Sequence, residues 1–205
     1  MKHLLTLLVA IFLVSPIFAQ FEIGINGGLA ITNASISYDY NNNTQTKTSG
    51  YRPAFVAEGM YNLKHWRFGL AIAYQKEKLT YQNTLWIVNN TSAIATSTRS
   101  EDLVPAYLLI SRSFDFRNFQ AYCGISFGAI KVNSSITDVG KEVDFSYVNQ
   151  SYGLICGADA GITYFISSNW GVNMEAAIND MNIEGTALEN ERMSYPVTLG
   201  VRYRF

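Results

Sequence analysis

SYPVTLGVRYRF, Ser194–Phe205, ends the chain and decides how the rest is read. Every second residue from the end is apolar or aromatic: Phe205, Tyr203, Val201, Leu199, Val197 and Tyr195. Between them lie Arg204, Arg202, Gly200, Thr198, Pro196 and Ser194, mostly polar or small. Side chains of an extended strand point alternately to two faces, so this period of two marks a strand with two chemically different faces.

The same alternation recurs upstream. It predicts strands at Phe21–Ile31, Arg52–Leu63, Trp66–Tyr81, Glu101–Phe114, Phe119–Val132, Ser151–Ile166 and Trp170–Asn182, with Ser194–Phe205 as the eighth. The fourth has no clear facing, because Tyr107-Leu108-Leu109-Ile110 is apolar throughout, and Pro105 suggests a bulge or a strand end. Polar tracts at Thr32–Tyr51, Gln82–Ser100, Asn133–Gln150 and Glu184–Arg192 read as exposed loops. Between them the connections are short: Lys64-His65, Asp115–Asn118 and Ser167–Asn169. Long and short connections thus alternate between antiparallel neighbours. The expected fold is all-β, an eight-stranded antiparallel up-and-down transmembrane β-barrel with short periplasmic turns.

Composition fits. The 205 residues are 48% hydrophobic and 15% charged, with 13 Tyr, 12 Phe and a net charge of −1. That charge gives no reason to expect a nucleic-acid partner. A barrel allows ordinary hydrophobicity, because only alternate residues meet lipid. Lys2 and His3 precede the apolar run Leu4–Val14, then Ser15-Pro16 and Ile17-Phe18-Ala19. This is the layout of a secretory signal peptide, residues 1–19, cleaved after Ala19. The run is short for a helix crossing about 30 Å of hydrocarbon. Residues 20–205 form one barrel domain.

The charges choose the faces. Glu22, Glu58, Arg67, Asp159, Glu175, Arg202 and Arg204 fall on one parity. A charge facing lipid costs about 2–4 kcal/mol near the midplane, so these point inward and are expected to form an ion-pair and hydrogen-bond network. Two readings stand open: a lumen filled by its own side chains, or a proton or ion path. Seven charges inside argue against a soluble barrel with an apolar cavity. The other parity carries Tyr61, Trp66, Phe119, Tyr164, Trp170, Tyr203 and Phe205 near the short-turn ends, an aromatic girdle for a membrane interface.

No catalytic constellation stands out. His3 leaves with the signal, and His65 sits in a turn, so nucleophile–His chemistry has no base near the outer mouth. Glu58, Asp159 and Glu175 would make an acidic cluster, but a filled lumen has no room for substrate. No His/Cys spacing suits a metal, and no cofactor is expected. Cys123 and Cys156 fall on neighbouring strands, either as a cross-strand disulfide or as two free thiols. Leu85-Trp86-Ile87-Val88 interrupts a polar tract. These four residues either contact a partner or extend a strand beyond the membrane.

The signal ending Phe18-Ala19-Gln20, the Gly-rich Gly24–Gly28, Val104-Pro105 and the terminus Val201–Phe205 carry a resemblance. The chain resembles the small outer-membrane β-barrels common in Bacteroidetes, called PorT-like, and is similar in layout to the barrel half of OmpA. The resemblance implies an outer-membrane location and contact with outer-membrane lipid. It also implies that the barrel-assembly machinery reads the terminal strand, here Tyr203 and Phe205. The expected role is structural or surface-interacting, with an extracellular or envelope protein partner. The alternatives are an accessory component of protein secretion across the outer membrane and, more weakly, a narrow channel.

Overall fold

The computed structural model describes residues 19–38, 44–88, 91–140, 144–183 and 191–205. The expected signal peptide lies outside the described residues, apart from Ala19. Eight strands follow in order: β1 (Ala19–Tyr38), β2 (Thr44–Leu63), β3 (Trp66–Val88), β4 (Thr91–Phe116), β5 (Phe119–Gly140), β6 (Asp144–Phe165), β7 (Trp170–Ile183) and β8 (Glu191–Arg204). Each pairs antiparallel with its sequence neighbours, and β8 returns to β1, so the sheet closes into a barrel.

The strands are longer than the alternation suggests. Three of the tracts read as loops are mostly paired backbone. β1 and β2 stay paired up to Tyr38↔Thr44, β3 and β4 up to Val88↔Thr91 across a register shift between Tyr81 and Thr84, and β5 and β6 up to Val139↔Asp144. Polarity excludes burial, but it does not exclude pairing. Thr, Tyr, Val and Ile favour the extended backbone, and a hairpin can be solvated on both faces. Arg192, placed in the fourth loop by its polarity, belongs to β8. The side chains of Leu85, Trp86, Ile87 and Val88 lie outside the described residues, but their backbone ends β3 and pairs with Thr91–Ile94.

Two short turns are tight. Lys64 (φ 56°) and Arg117 (φ 50°) each open a two-residue connection in the left-handed region. Three prolines sit where ladders fail. β2–β3 pairing ends at Ala54↔Gln75, next to Pro53. The β3–β4 ladder skips the step at Pro105, and β7–β8 skips the step at Pro196. Proline has no N–H to give. Pro105 does not end its strand, however, because β4 continues through it and keeps the Pro105↔Ile130 pair with β5.

Facing follows the alternation, including in β4. Tyr107 and Leu109 point inward, while Leu108 and Ile110 are exposed on the outer face. That outer face is apolar along its length, with Ile25 64% and Leu70 66% exposed. At its short-turn end the rings touch. Phe119 packs on Tyr164 at 4.8 Å, Trp170 on Tyr203 at 4.9 Å, and Phe205 on Tyr203 at 4.9 Å and Phe21 at 5.7 Å. Cys123 and Cys156 are free and exposed on this face. Cys123 stands opposite Ala160 and Cys156 opposite Phe127, so the offset along the strands rules out a bond between them.

Inside, apolar packing joins two groups. Leu103, Ile130, Val132, Ile155, Met181 and Ile183 form one. Val56, Met60, Ala71, Ala73 and Leu109 form the other, and Tyr107 lies against both.

Candidate functional site

The inward face toward the short turns is polar, and its centre is Arg202 on β8, fully buried. Gly24 of β1 pairs with Arg202 on one side and with Glu58 of β2 on the other. Having no side chain, Gly24 leaves the space in which the two charged groups meet. Arg202 Nη2 donates to Glu58 Oε1, and Nη1 donates to Thr163 Oγ1 at 3.1 Å. The Arg202 Nη1 atom also lies 3.8 Å from Glu22 Oε2.

Glu22 gathers the other two arginines. Arg67 Nη2 donates to its Oε2 at 3.4 Å, and Arg204 Nε to its Oε1 at 2.8 Å. Tyr122 of β5 is the aromatic wall of the cluster. Its ring stacks with the Arg67 guanidinium at 4.2 Å and the Arg202 guanidinium at 5.0 Å. A guanidinium over a ring is attracted by the negative π face, more so where water is excluded. The Tyr122 hydroxyl lies 2.6 Å from Glu175 Oε2 and 3.1 Å from Asn173 Oδ1. Asn173 Nδ2 donates to Asn26 Oδ1 at 3.3 Å, and Asn26 Nδ2 to Glu58 Oε1 at 3.5 Å.

The seven charged residues singled out in the sequence therefore divide. Glu22, Glu58, Arg67, Arg202 and Arg204 form one ion-paired cluster. Among the described residues Glu175 reaches it through Tyr122. Asp159 is buried on the same face, with no ion pair among the described residues. Buried charges cost several kcal/mol each unless paired, and the bonds within this cluster offset that cost.

A second polar tier lies toward the long-hairpin end, beyond the apolar layer. Arg192 grips Glu101 with two bonds, Nη1 to Oε2 at 2.5 Å and Nη2 to Oε1 at 3.4 Å. Ser134 Oγ donates to the same carboxylate at 2.9 Å, and Ser194 Oγ to Gln75 Oε1 at 3.3 Å. Arg52 is buried nearby in the register, opposite Ala30. Sequence reasoning missed this tier and Tyr122. Arg192 shares the parity of Arg202 and Arg204, so carrying the alternation one pair further back than Ser194 would have found it. The alternation puts Tyr122 on the inward parity of its strand with Gln120 and Gly124, but nothing in the sequence marks its role.

The terminal residues Tyr203 and Phe205 lie outward at the girdle. Their strand end is clamped by the β6–β7 turn. Arg204 N donates to Asn169 O at 2.7 Å, and Asn169 Nδ2 to Arg204 O at 2.8 Å. Among the described residues no group of His, Cys, Asp and Glu is placed to hold a metal ion. His65 is exposed in its turn.

The fold has solved counterparts. Neisserial surface protein A (NspA) is 17% identical, with a TM-score of 0.54 over 90% of this chain and 97% of that one. The Escherichia coli outer membrane protease OmpT is 12% identical, with a TM-score of 0.52 over 93% and 98%. At these identities the likeness shows the fold alone. No curated protein matches the sequence. Residues 4–205 match the model of the outer membrane protein β-barrel domain, and the chain belongs to that family.

Proposed function

We propose that the protein is a non-catalytic outer-membrane barrel, with a lumen filled by its own side chains and outer strand extensions that serve as a surface for interaction. The observation that carries this is the polar cluster across the lumen. It takes Glu22 and Asn26 from β1, Glu58 from β2, Arg67 from β3, Tyr122 from β5, Thr163 from β6, Asn173 and Glu175 from β7, and Arg202 and Arg204 from β8. A barrel of eight strands is just wide enough for its interior to be filled by side chains. Filled this way, the barrel works as a rigid support, and function moves to the hairpins above it.

Export uses the leader, removed after Ala19. Outer-membrane lipid covers the apolar face. The barrel-assembly machinery reads Tyr203 and Phe205, and an extracellular or envelope protein meets the outer hairpins. A finer placement among PorT-like barrels with a part in protein secretion rests on the sequence layout alone. The test is single-channel recording on the purified mature chain in planar bilayers. The expected conductance is at leak level, rising when Arg202 and Tyr122 are both replaced by Ser. Conductance well above leak in the unsubstituted protein would overturn the filled lumen and favour a channel. Amino-terminal sequencing of the membrane-fraction protein should begin at Gln20.

A further inference from the structure

At the short-turn end the barrel wall is notched between β3 and β4. Trp66↔Arg112 is the last pair of their ladder there, while β4 runs on to Phe116. One further bond, Ser113 N to His65 O at 2.8 Å, fastens the β2–β3 turn to β4. Beside it lies a cavity of about 240 Å³, lined by His65, Arg112, Ser113, Phe114, Asp115 and Phe116.

The register aims a backbone donor into this notch. Phe116 and Phe119 close a two-residue turn, so Phe116 and Phe114 direct N–H and C=O toward β5. Ser113 and Asp115 direct theirs to the other side, and the Ser113 N–H goes to His65. The Asp115 N–H therefore points into the notch. The Asp115 carboxylate is engaged elsewhere. Gln120 Nε2 donates to its Oδ1 at 3.0 Å, and the Gln120 side chain is buried inside the barrel.

Arg112 supplies the charge. It is exposed on the outward parity of β4 with Leu108, Ile110 and Phe114. Its guanidinium lies 5.9 Å from the Trp66 ring centroid and 5.8 Å from that of Phe114. Two aromatic rings thus hold the cation at the girdle and leave its N–H fork for another group. Among the described residues no carboxylate pairs with Arg112. An outward charge is tolerated at this depth, where the hydrocarbon gives way to headgroups.

We propose that this notch binds the phosphate of a phospholipid in the leaflet at the short-turn end, with Arg112 as the main contact and the Asp115 N–H and His65 as lesser ones. A guanidinium meets two phosphate oxygens with two parallel bonds. The occupant is a lipid rather than a free anion because Trp66, Phe114 and Phe116 flank the site on the outer face. Their rings offer apolar surface to the glycerol and acyl chains next to the cation. This rests on the reading that lipid covers the apolar face.

The experiment is native mass spectrometry of the full mature chain, released from detergent micelles. The probes are phosphatidylglycerol, diacylglycerol with the same chains, and inorganic phosphate. The barrel should retain phosphatidylglycerol and lose diacylglycerol. Arg112→Gln should lower the retained fraction about tenfold, the worth of a charge-assisted contact. Arg112→Lys keeps the charge and loses the fork, so it should fall between. Arg117→Asn changes a neighbouring charge outside the cavity and should bind like the unsubstituted chain. Equal retention by Arg112→Gln, or equal retention of diacylglycerol, would overturn the site. Displacement of the lipid by inorganic phosphate would overturn its assignment to lipid. Flotation with phosphatidylcholine vesicles separates the two layers of the argument, and the Arg112 variants should float too, since the side chain lies outside the core. A chain that floats without a selective adduct loses only this site, whereas one that stays in solution loses the lipid-covered face as well.

Discussion

Arg202 and Glu58 meet over Gly24, from strands that are not neighbours. A Cβ added at Gly24 would press into the Glu58 carboxylate. Gly24→Val should therefore break the pair and destabilise the barrel by about 3 kcal/mol, through overpacking and lost charge pairing. Gly27 is the control, because a Cβ there meets only the Phe55 ring at 3.5 Å. Urea unfolding in lipid vesicles should separate the two variants. Equal midpoints would mean that the space over Gly24 is not needed.

Removing one charge should cost more than removing both. Arg202→Met leaves Glu58 buried without its main partner, and Glu58→Gln leaves Arg202 short of one. Each single change should cost about 3–5 kcal/mol, and the double variant much less than the sum. A double-mutant cycle in the same unfolding assay measures the coupling. Additive losses would show that the two residues act separately.

Lys64 and Arg117 hold φ values of 56° and 50° with a full side chain. The left-handed conformation costs an ordinary residue roughly 1–2 kcal/mol, and Asn tolerates it better. Lys64→Asn and Arg117→Asn should each raise the unfolding midpoint, by about 1 kcal/mol in stability. Both turns lie outside the barrel interior, so conductance should stay at its original level.

Asn169 holds the end of β8 through both its backbone and its amide. Asn169→Ala removes one bond to the Arg204 carbonyl and should cost about 1 kcal/mol. Deleting Phe205 should behave differently. It removes outward ring contacts with Phe21 and Tyr203, so refolded stability should fall modestly while assembly in cells drops sharply. Pulse-labelling of folded barrel in the membrane fraction distinguishes the two losses.

Strand number, facing and the charged lumen residues were legible because they rest on alternation, which the closing strand shows most cleanly. What stayed hidden follows from the limits of that signal. Polarity along Gln82–Ser100 said that the tract is not buried, and it gave no warning that β3 and β4 remain paired through it. Leu108 and Leu109 are chemically identical, and only the register sends Leu109 inward. The role of Tyr122 was hidden because it depends on two arginines arriving from β3 and β8.

The position of Glu22 also orders events during assembly. Of its three arginine partners, Arg67 comes from β3, while Arg202 and Arg204 come from the last strand. A chain stopped before β8 would hold a carboxylate in the forming interior with most of its counter-charge still missing. Closure and neutralisation thus happen in one step, so an incomplete barrel is penalised electrostatically as well as by its open edges. The strand that closes the barrel, β8, is the one that completes both.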